Sequence, residues 1–281
     1  MRAVGSAFLM LIVFLAAEAS AGTLDRVRDT GAIRLGYRED APPFAYKNAI
    51  GEAAGYSVDL CRAVAADAKN ALGLADIKIE YVPVTAQDRF DAVKGGRVDI
   101  LCGATTATLS RRQLVDFSLA TFIDGASVLY RAEGPDTFDG LAGKRIGVRA
   151  GTTTEEALRN TLTRLSIDAE VIAVSDHGDG VRRLEDGDLA AYFADRAILL
   201  FRLLASDAQE KLRLSDRYFT FEPYALALEK GDDEFQLLVD RTLSRLYRSG
   251  RIEQIFTSNF GQAANPSDLL KALYVINGLP E

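Results

Sequence analysis

The 281-residue chain holds one histidine, two cysteines and seven prolines. It contains no Gly-x-Ser-x-Gly elbow, no glycine-rich phosphate loop ending in lysine, and no Cys-His pair at a plausible turn. Nucleophilic and general acid–base chemistry therefore have few candidates. Neither Cys61 nor Cys102 has a histidine or second cysteine at metal-ligand spacing, which excludes a zinc site of the usual kind. No block of basic residues occurs, and the formal net charge is −7, which argues against nucleic acid or anionic membrane as the main partner. No internal repeat or low-complexity tract is present.

Long apolar runs are also scarce. The one clear run, Phe8 to Ala17, is shorter than the roughly 20 residues that span a bilayer. It follows Arg2 and precedes Ala19-Ser20-Ala21, so residues 1–21 are expected to be a secretory signal peptide cleaved after about Ala21. No cysteine sits at that cleavage point to carry a lipid. Export to an oxidising compartment makes a Cys61–Cys102 disulfide possible, with two buried free thiols as the alternative.

Strand and helix signals alternate along the rest. Strands are expected over 32–37, 78–84 and 98–102, with helices over 57–69 and 86–94 and a helix start at 110–113 capped by Ser110. The rhythm restarts with strands at 145–148, 170–174 and 189–193 and helices at 153–163, 180–185 and 197–204. Such alternation predicts an α/β fold with parallel strands and helices on both faces, built as two lobes. Residues 224–228 and the helix over 233–248 lack a strand set of their own and are expected to return to the first lobe. Lobe one is thus expected to comprise residues 22–123 plus 222–281, and lobe two residues 124–221. The chain then crosses twice, near Phe122–Gly125 and Phe221–Tyr224, which makes a hinge with a cleft between the lobes.

Polar clusters fall where strands end and helices begin, the place where open α/β sheets hold ligands. Arg38 leaves the first strand beside Tyr37 and Phe44, and its planar fork suits a carboxylate, although a surface arginine reads the same in isolation. Arg89 lies on the helix after Thr85, where a solvated arginine is the plainer reading. Gly103 to Thr108, with Ala104 and Thr106, precedes Arg111-Arg112; small residues admit close backbone approach and the arginine suits an α-carboxylate. Gly151-Thr152-Thr153 opens a helix, whose free amides attract anions unless the turn is an ordinary cap. His177 and Asp195 end the series, the first flanked by acids and glycine, the second able to accept from an ammonium group.

In order and spacing, these segments resemble the polar amino-acid family of type II periplasmic binding proteins, above all the glutamate/aspartate-binding proteins that feed ABC importers. The stretches that carry the likeness are 36–44, 55–60, 83–89, 99–106, 116–118, 151–153 and 176–179. The resemblance implies a soluble, monomeric, periplasmic binder without cofactor, partnered by the membrane permease of an importer. It also implies that Arg111, with Thr106 and Thr153, takes the ligand α-carboxylate. Asp195, Thr106 and the Ala104 carbonyl would hold the ammonium, and Arg38, Arg89 and a protonated His177 would face a second carboxylate. Two departures stand out: Ala86 where acidic-ligand relatives often carry a hydroxyl, and Ala104 in place of a serine. A periplasmic prephenate or arogenate dehydratase resembles the same fold and is the enzymatic alternative. A ligand-sensing accessory protein is the other.

Overall fold

The computed structural model describes residues 22–135 and 137–281. The expected signal peptide, residues 1–21, lies outside the described residues. Among those described, no helix is long and apolar enough to cross a membrane.

Helix α1 (Thr23–Thr30) leads into β1 (Ala32–Tyr37), and a small antiparallel sheet follows from β2 (Asp40–Ala41), β3 (Ala45–Lys47) and β4 (Ala53–Ala54). Gly55 then admits α2 (Tyr56–Ala71): its φ is 126°, and a Cβ there would stand 2.4 Å from the Phe44 carbonyl oxygen. Next come β5 (Lys78–Pro83), α3 (Arg89–Lys94), β6 (Ile100–Cys102) and the long β7 (Asp116–Asp124). The second half of the alternation supplies β8 (Ala126–Arg131), β9 (Arg145–Arg149), α4 (Thr153–Leu165), β10 (Glu170–Val174), α5 (His177–Glu185), β11 (Ala191–Asp195), α6 (Arg196–Leu204) and β12 (Leu212–Leu214). After these, β13 (Glu222–Leu228) and helices α7 (Asp233–Arg248), α8 (Arg251–Phe260) and α9 (Asp268–Asn277) finish the chain.

Two five-stranded sheets result, in the orders β5-β1-β6-β13-β7 and β10-β9-β11-β8-β12. Each is mixed rather than wholly parallel, which corrects the sequence expectation. The parallel members are β5, β1 and β6 in one sheet and β10, β9 and β11 in the other. The antiparallel pairings come from the strands that carry the chain between sheets: β13 against β6 and β7, and β8 against β11 and β12. A strand that runs straight out of one sheet into the next needs no crossover helix, so the parallel rule for βαβ units does not govern it.

At the first crossing only Gly125 separates β7 from β8. A Cβ on Gly125 would lie 2.0 Å from the Thr220 carbonyl oxygen, so glycine is what lets the two crossing segments touch. Beneath the crossings the Phe44 ring packs edge-on against Phe122 at 4.9 Å and Tyr224 at 5.2 Å, while Phe122 stacks on Phe260 at 5.4 Å. All four lie on lobe one, and the first three are buried. The hinge thus rests on a firm aromatic base, each such pair adding about 0.5–1.5 kcal/mol beyond its area. In the same lobe Cys61 of α2 and Cys102 of β6 are joined by a disulfide, with Cα atoms 6.2 Å apart.

Candidate functional site

All the arginines singled out from sequence stand at the carboxyl ends of strands or on the helix turns that follow them. Arg38 leaves β1, and Arg89 opens α3. That helix begins three residues later than expected, because Thr85 and Asp88 bond to each other: Thr85 N donates to Asp88 Oδ1 at 2.7 Å and Asp88 N to Thr85 Oγ1 at 3.1 Å. Thr85 therefore closes a turn and does not cap the helix. Residues 111–113 form a single tight turn in which Ser110 makes no cap; Thr108 Oγ1 accepts from Arg111 N at 3.2 Å instead. Of the adjacent arginines, Arg111 is the one turned into the cleft, its Nη1 donating to the Thr106 carbonyl at 2.8 Å, while Arg112 is exposed.

Lobe two supplies the facing wall. Thr152 caps α4 and Asp176 caps α5. Two amides at the start of α4 are already engaged, Gly151 N by Glu155 Oε2 at 3.0 Å and Glu155 N by Thr152 Oγ1 at 3.1 Å. Thr152, Thr153 and Thr154 of this turn line the cavity. Asp195, where β11 meets α6, accepts from Thr154 Oγ1 and from Tyr224 Oη of lobe one.

One cavity between the lobes is lined by Arg38, Arg89, Ala104, Thr106, Arg111, Thr153, His177 and Asp195. These are the eight residues named from sequence, and the fold brings all of them together. Arg149, Thr152, Thr154 and Ala194 complete the wall. The space open to the centre of a water-sized sphere is about 10 Å³, room for about one water molecule, so the lobes are closed on each other. Larger hollows of about 330 Å³ near Lys230–Glu234 and about 430 Å³ beside Tyr247 and Tyr274 each involve lobe one alone. They gather no comparable set of buried charges.

The electrostatics of the cavity are dominated by guanidiniums. Burial, then the charge of Arg111, followed by Arg38 and Arg149, disfavours the Arg89 cation, yet a guanidinium stays charged at neutral pH. Arg111 is lowered by burial too, with Glu222 and Asp195 opposing. Arg89 Nε and His177 Nε2 are buried without a hydrogen-bond partner among the described residues. Arg38 Nη2 is likewise unaligned, although 2.9 Å from Asp40 Oδ1. An orphaned buried donor costs about 1–3 kcal/mol, and an acceptor brought into the cavity would relieve it.

His177 Nδ1 lies 2.9 Å from Tyr192 Oη, and burial, then the charge of Arg38, with Arg149 and Arg202 beyond, drives its pKa well below the usual histidine value. Only Asp40 opposes the shift, so the ligand-free cavity disfavours the imidazolium, whereas the expected protonated ring belongs to the complex with a carboxylate.

Sequence reasoning missed the acids behind the wall. Register puts Glu222 opposite Asp124 on β13 and β7, and Asp195 opposite Ala126 on β11 and β8. Burial first, then the Asp195 charge, raises both Asp124 and Glu222. Asp40 goes the other way. Burial would raise it, but the charges around it, Arg38 foremost, together with the Arg149 hydrogen bond, hold it well below the usual carboxylate range.

Residues 33–262 match the family model described as bacterial extracellular solute-binding proteins, family 3. The chain belongs to this family. The glutamate/aspartate import solute-binding protein of Escherichia coli (strain K12) is 30% identical over 255 residues, 90% of this chain and 84% of that protein. The L-glutamate/L-aspartate-binding protein of Pseudomonas aeruginosa is 33% identical over 255 residues, with the same shares. Among solved structures, the ancestral amino acid-binding protein AncCDT-1, a precursor of cyclohexadienyl dehydratase, superposes with a TM-score of 0.73 at 27% identity, covering 85% of this chain and 99% of that one. The likeness to the polar amino-acid branch of the type II periplasmic binding proteins is thus upheld. The protein is a solute-binding protein of ABC transport and not an enzyme, which sets the dehydratase alternative aside.

Proposed function

We propose that the protein captures an acidic amino acid, glutamate or aspartate, in the interlobe cavity and delivers it to the permease of an ABC importer. The observation that carries this reading is four buried or half-buried guanidiniums, Arg38, Arg89, Arg111 and Arg149, around one cavity that also holds the Asp195 carboxylate. A free amino acid with a second carboxylate matches that pattern: two anionic groups for the arginines and one ammonium for Asp195. Arg111 pairs with the α-carboxylate and Asp195 with the ammonium, aided by Thr106, Thr153 and the Ala104 carbonyl. Arg38, Arg89 and His177 face the side chain. Similarity to two glutamate/aspartate-binding proteins supports the same choice.

Lobe one, in this reading, comprises residues 22–123 and 222–281, lobe two residues 124–221, and the protein works outside the cytoplasm as a monomer after loss of residues 1–21. The cavity admits about one water, so the ligand enters with the lobes apart and closure buries its charges. The test is calorimetric titration of ligand-stripped mature protein with L-glutamate, L-aspartate, L-glutamine and L-arginine. Micromolar or tighter binding confined to the acidic pair supports the proposal; binding of none of the four, or of arginine alone, overturns it.

A further inference from the structure

Lobe two brings a single guanidinium to the cavity wall, that of Arg149 at the end of β9, among the described residues. Its side chain is 4% exposed, and its Nε donates to Asp40 Oδ2 across the cleft at 2.8 Å. The other oxygen of Asp40 accepts from Arg38 Nε at 2.9 Å. One carboxylate of lobe one thus grips the Nε edges of two guanidiniums, one from each lobe. The remaining bonds of Arg149 are long: Nη1 reaches the Ala150 carbonyl at 3.2 Å and Gln87 Oε1 at 3.5 Å.

The cavity therefore gathers the guanidiniums of Arg38, Arg89 and Arg149 on one wall, with Asp40 behind them paired to the first and last. Positive charge remains in excess in a space shielded from water, where a carboxylate is held far more strongly than in bulk. A carboxamide would turn its NH2 group toward donors that have no use for it. Arg149 is the lobe-two guanidinium at this wall, so closure over an anionic side chain brings it against the ligand.

We propose that Arg149 is the specificity-determining cation of lobe two, closing over the side-chain carboxylate of the bound amino acid. This rests on the acidic-ligand reading and deepens it, because it ties the preference for a second carboxylate to lobe closure itself.

The experiment compares L-glutamate with L-glutamine binding by calorimetry in wild type, Arg149→Gln, Arg149→Lys and the double variant Asp40→Asn/Arg149→Gln. Arg149→Gln leaves Asp40 paired with Arg38, and the double variant removes the carboxylate that Arg149 leaves behind as well. In Arg149→Gln and in the double variant the preference for glutamate falls by about thirtyfold or more, as expected when a charged contact is lost. Arg149→Lys keeps part of it. Equal losses for both ligands, or an unchanged preference in the double variant, would overturn the inference alone. Wild-type protein that binds no acidic amino acid would overturn the functional reading, and this inference with it.

Discussion

Thr153 of lobe two donates a hydrogen bond to Glu222 of lobe one, Oγ1 to Oε2, at 2.7 Å. The same carboxylate oxygen accepts from Thr106 Oγ1, and Thr220 Oγ1 donates to its partner Oε1 at 2.9 Å. Glu222 thus ties both walls of the cleft to the second crossing. Both threonine hydroxyls reach the same carboxylate oxygen, so Glu222 fixes the two side chains that line the cavity from either lobe. Glu222→Ala is expected to weaken binding of every amino acid the protein takes by about tenfold or more, since bonds to charged groups contribute about 1.5–3 kcal/mol each. Calorimetry with glutamate and aspartate checks this, and unchanged affinity for both would show that Glu222 has no part in ordering the threonines.

Arg111 and Arg38 are expected to differ in what their loss does. Arg111 sits beside Thr106 and over the Phe90 ring, its carbon 5.2 Å from the ring centre, at the end of the cavity assigned to the α-carboxylate. Arg111→Ala leaves that group unpaired in a closed cleft, a loss of about 3–5 kcal/mol, so binding of all amino acids should vanish from calorimetric range. Arg38→Ala should instead narrow the gap between glutamate and glutamine. Near-native affinity in the first variant, or unaltered selectivity in the second, would reassign the two ends of the pocket.

Much of this was legible in the sequence, for reasons that also explain the gaps. The strand over 32–37 and the helix over 233–248 coincide with their expected bounds, since each buries one face and carries its own periodicity. Arg38, Thr106, Thr153 and Asp195 were found because strand ends and helix starts are local features with a fixed geometric meaning. Glu222 and Asp124 were not found, because their meeting comes from the register of strands far apart in sequence. Arg149 carried a signal that went unused: a charged residue closing the buried run Ile146-Gly147-Val148. The lowering of the His177 pKa depends on burial first and then on guanidiniums contributed by three separate segments, and no spacing rule foretells it.

The histidine gives a prediction with a definite sign. Its folded pKa lies below the unfolded value of about 6.5, so in acid the unfolded chain takes up a proton that the folded one refuses. Its contribution to stability is fully present above about pH 6.5 and is lost as pH falls below it. Asp124 and Glu222 act oppositely, their raised values favouring the fold in acid, so the readout is the difference between wild type and His177→Gln. In denaturant melts of ligand-free protein, that difference should shrink toward pH 5. Glutamate affinity should meanwhile stay nearly flat between pH 6 and 9; a steady fall with rising pH would mean that His177 is charged in the complex.

The disulfide offers a test of the hinge's foundation. It closes a loop of sequence separation 41 between α2 and β6, and β6 runs into the segment that carries Ala104 and Thr106. Chain-entropy arguments put the value of such a loop at about 4 kcal/mol. The Cys61→Ser/Cys102→Ser pair should therefore unfold at clearly lower denaturant concentration, as should reduced wild-type protein. Glutamate affinity of the variant that remains folded should change by less than about threefold, because neither sulfur lines the cavity and the aromatic base beneath the crossings is intact. A large loss of affinity in folded variant protein would show that β6 relaxes without the bridge and carries the threonines out of place.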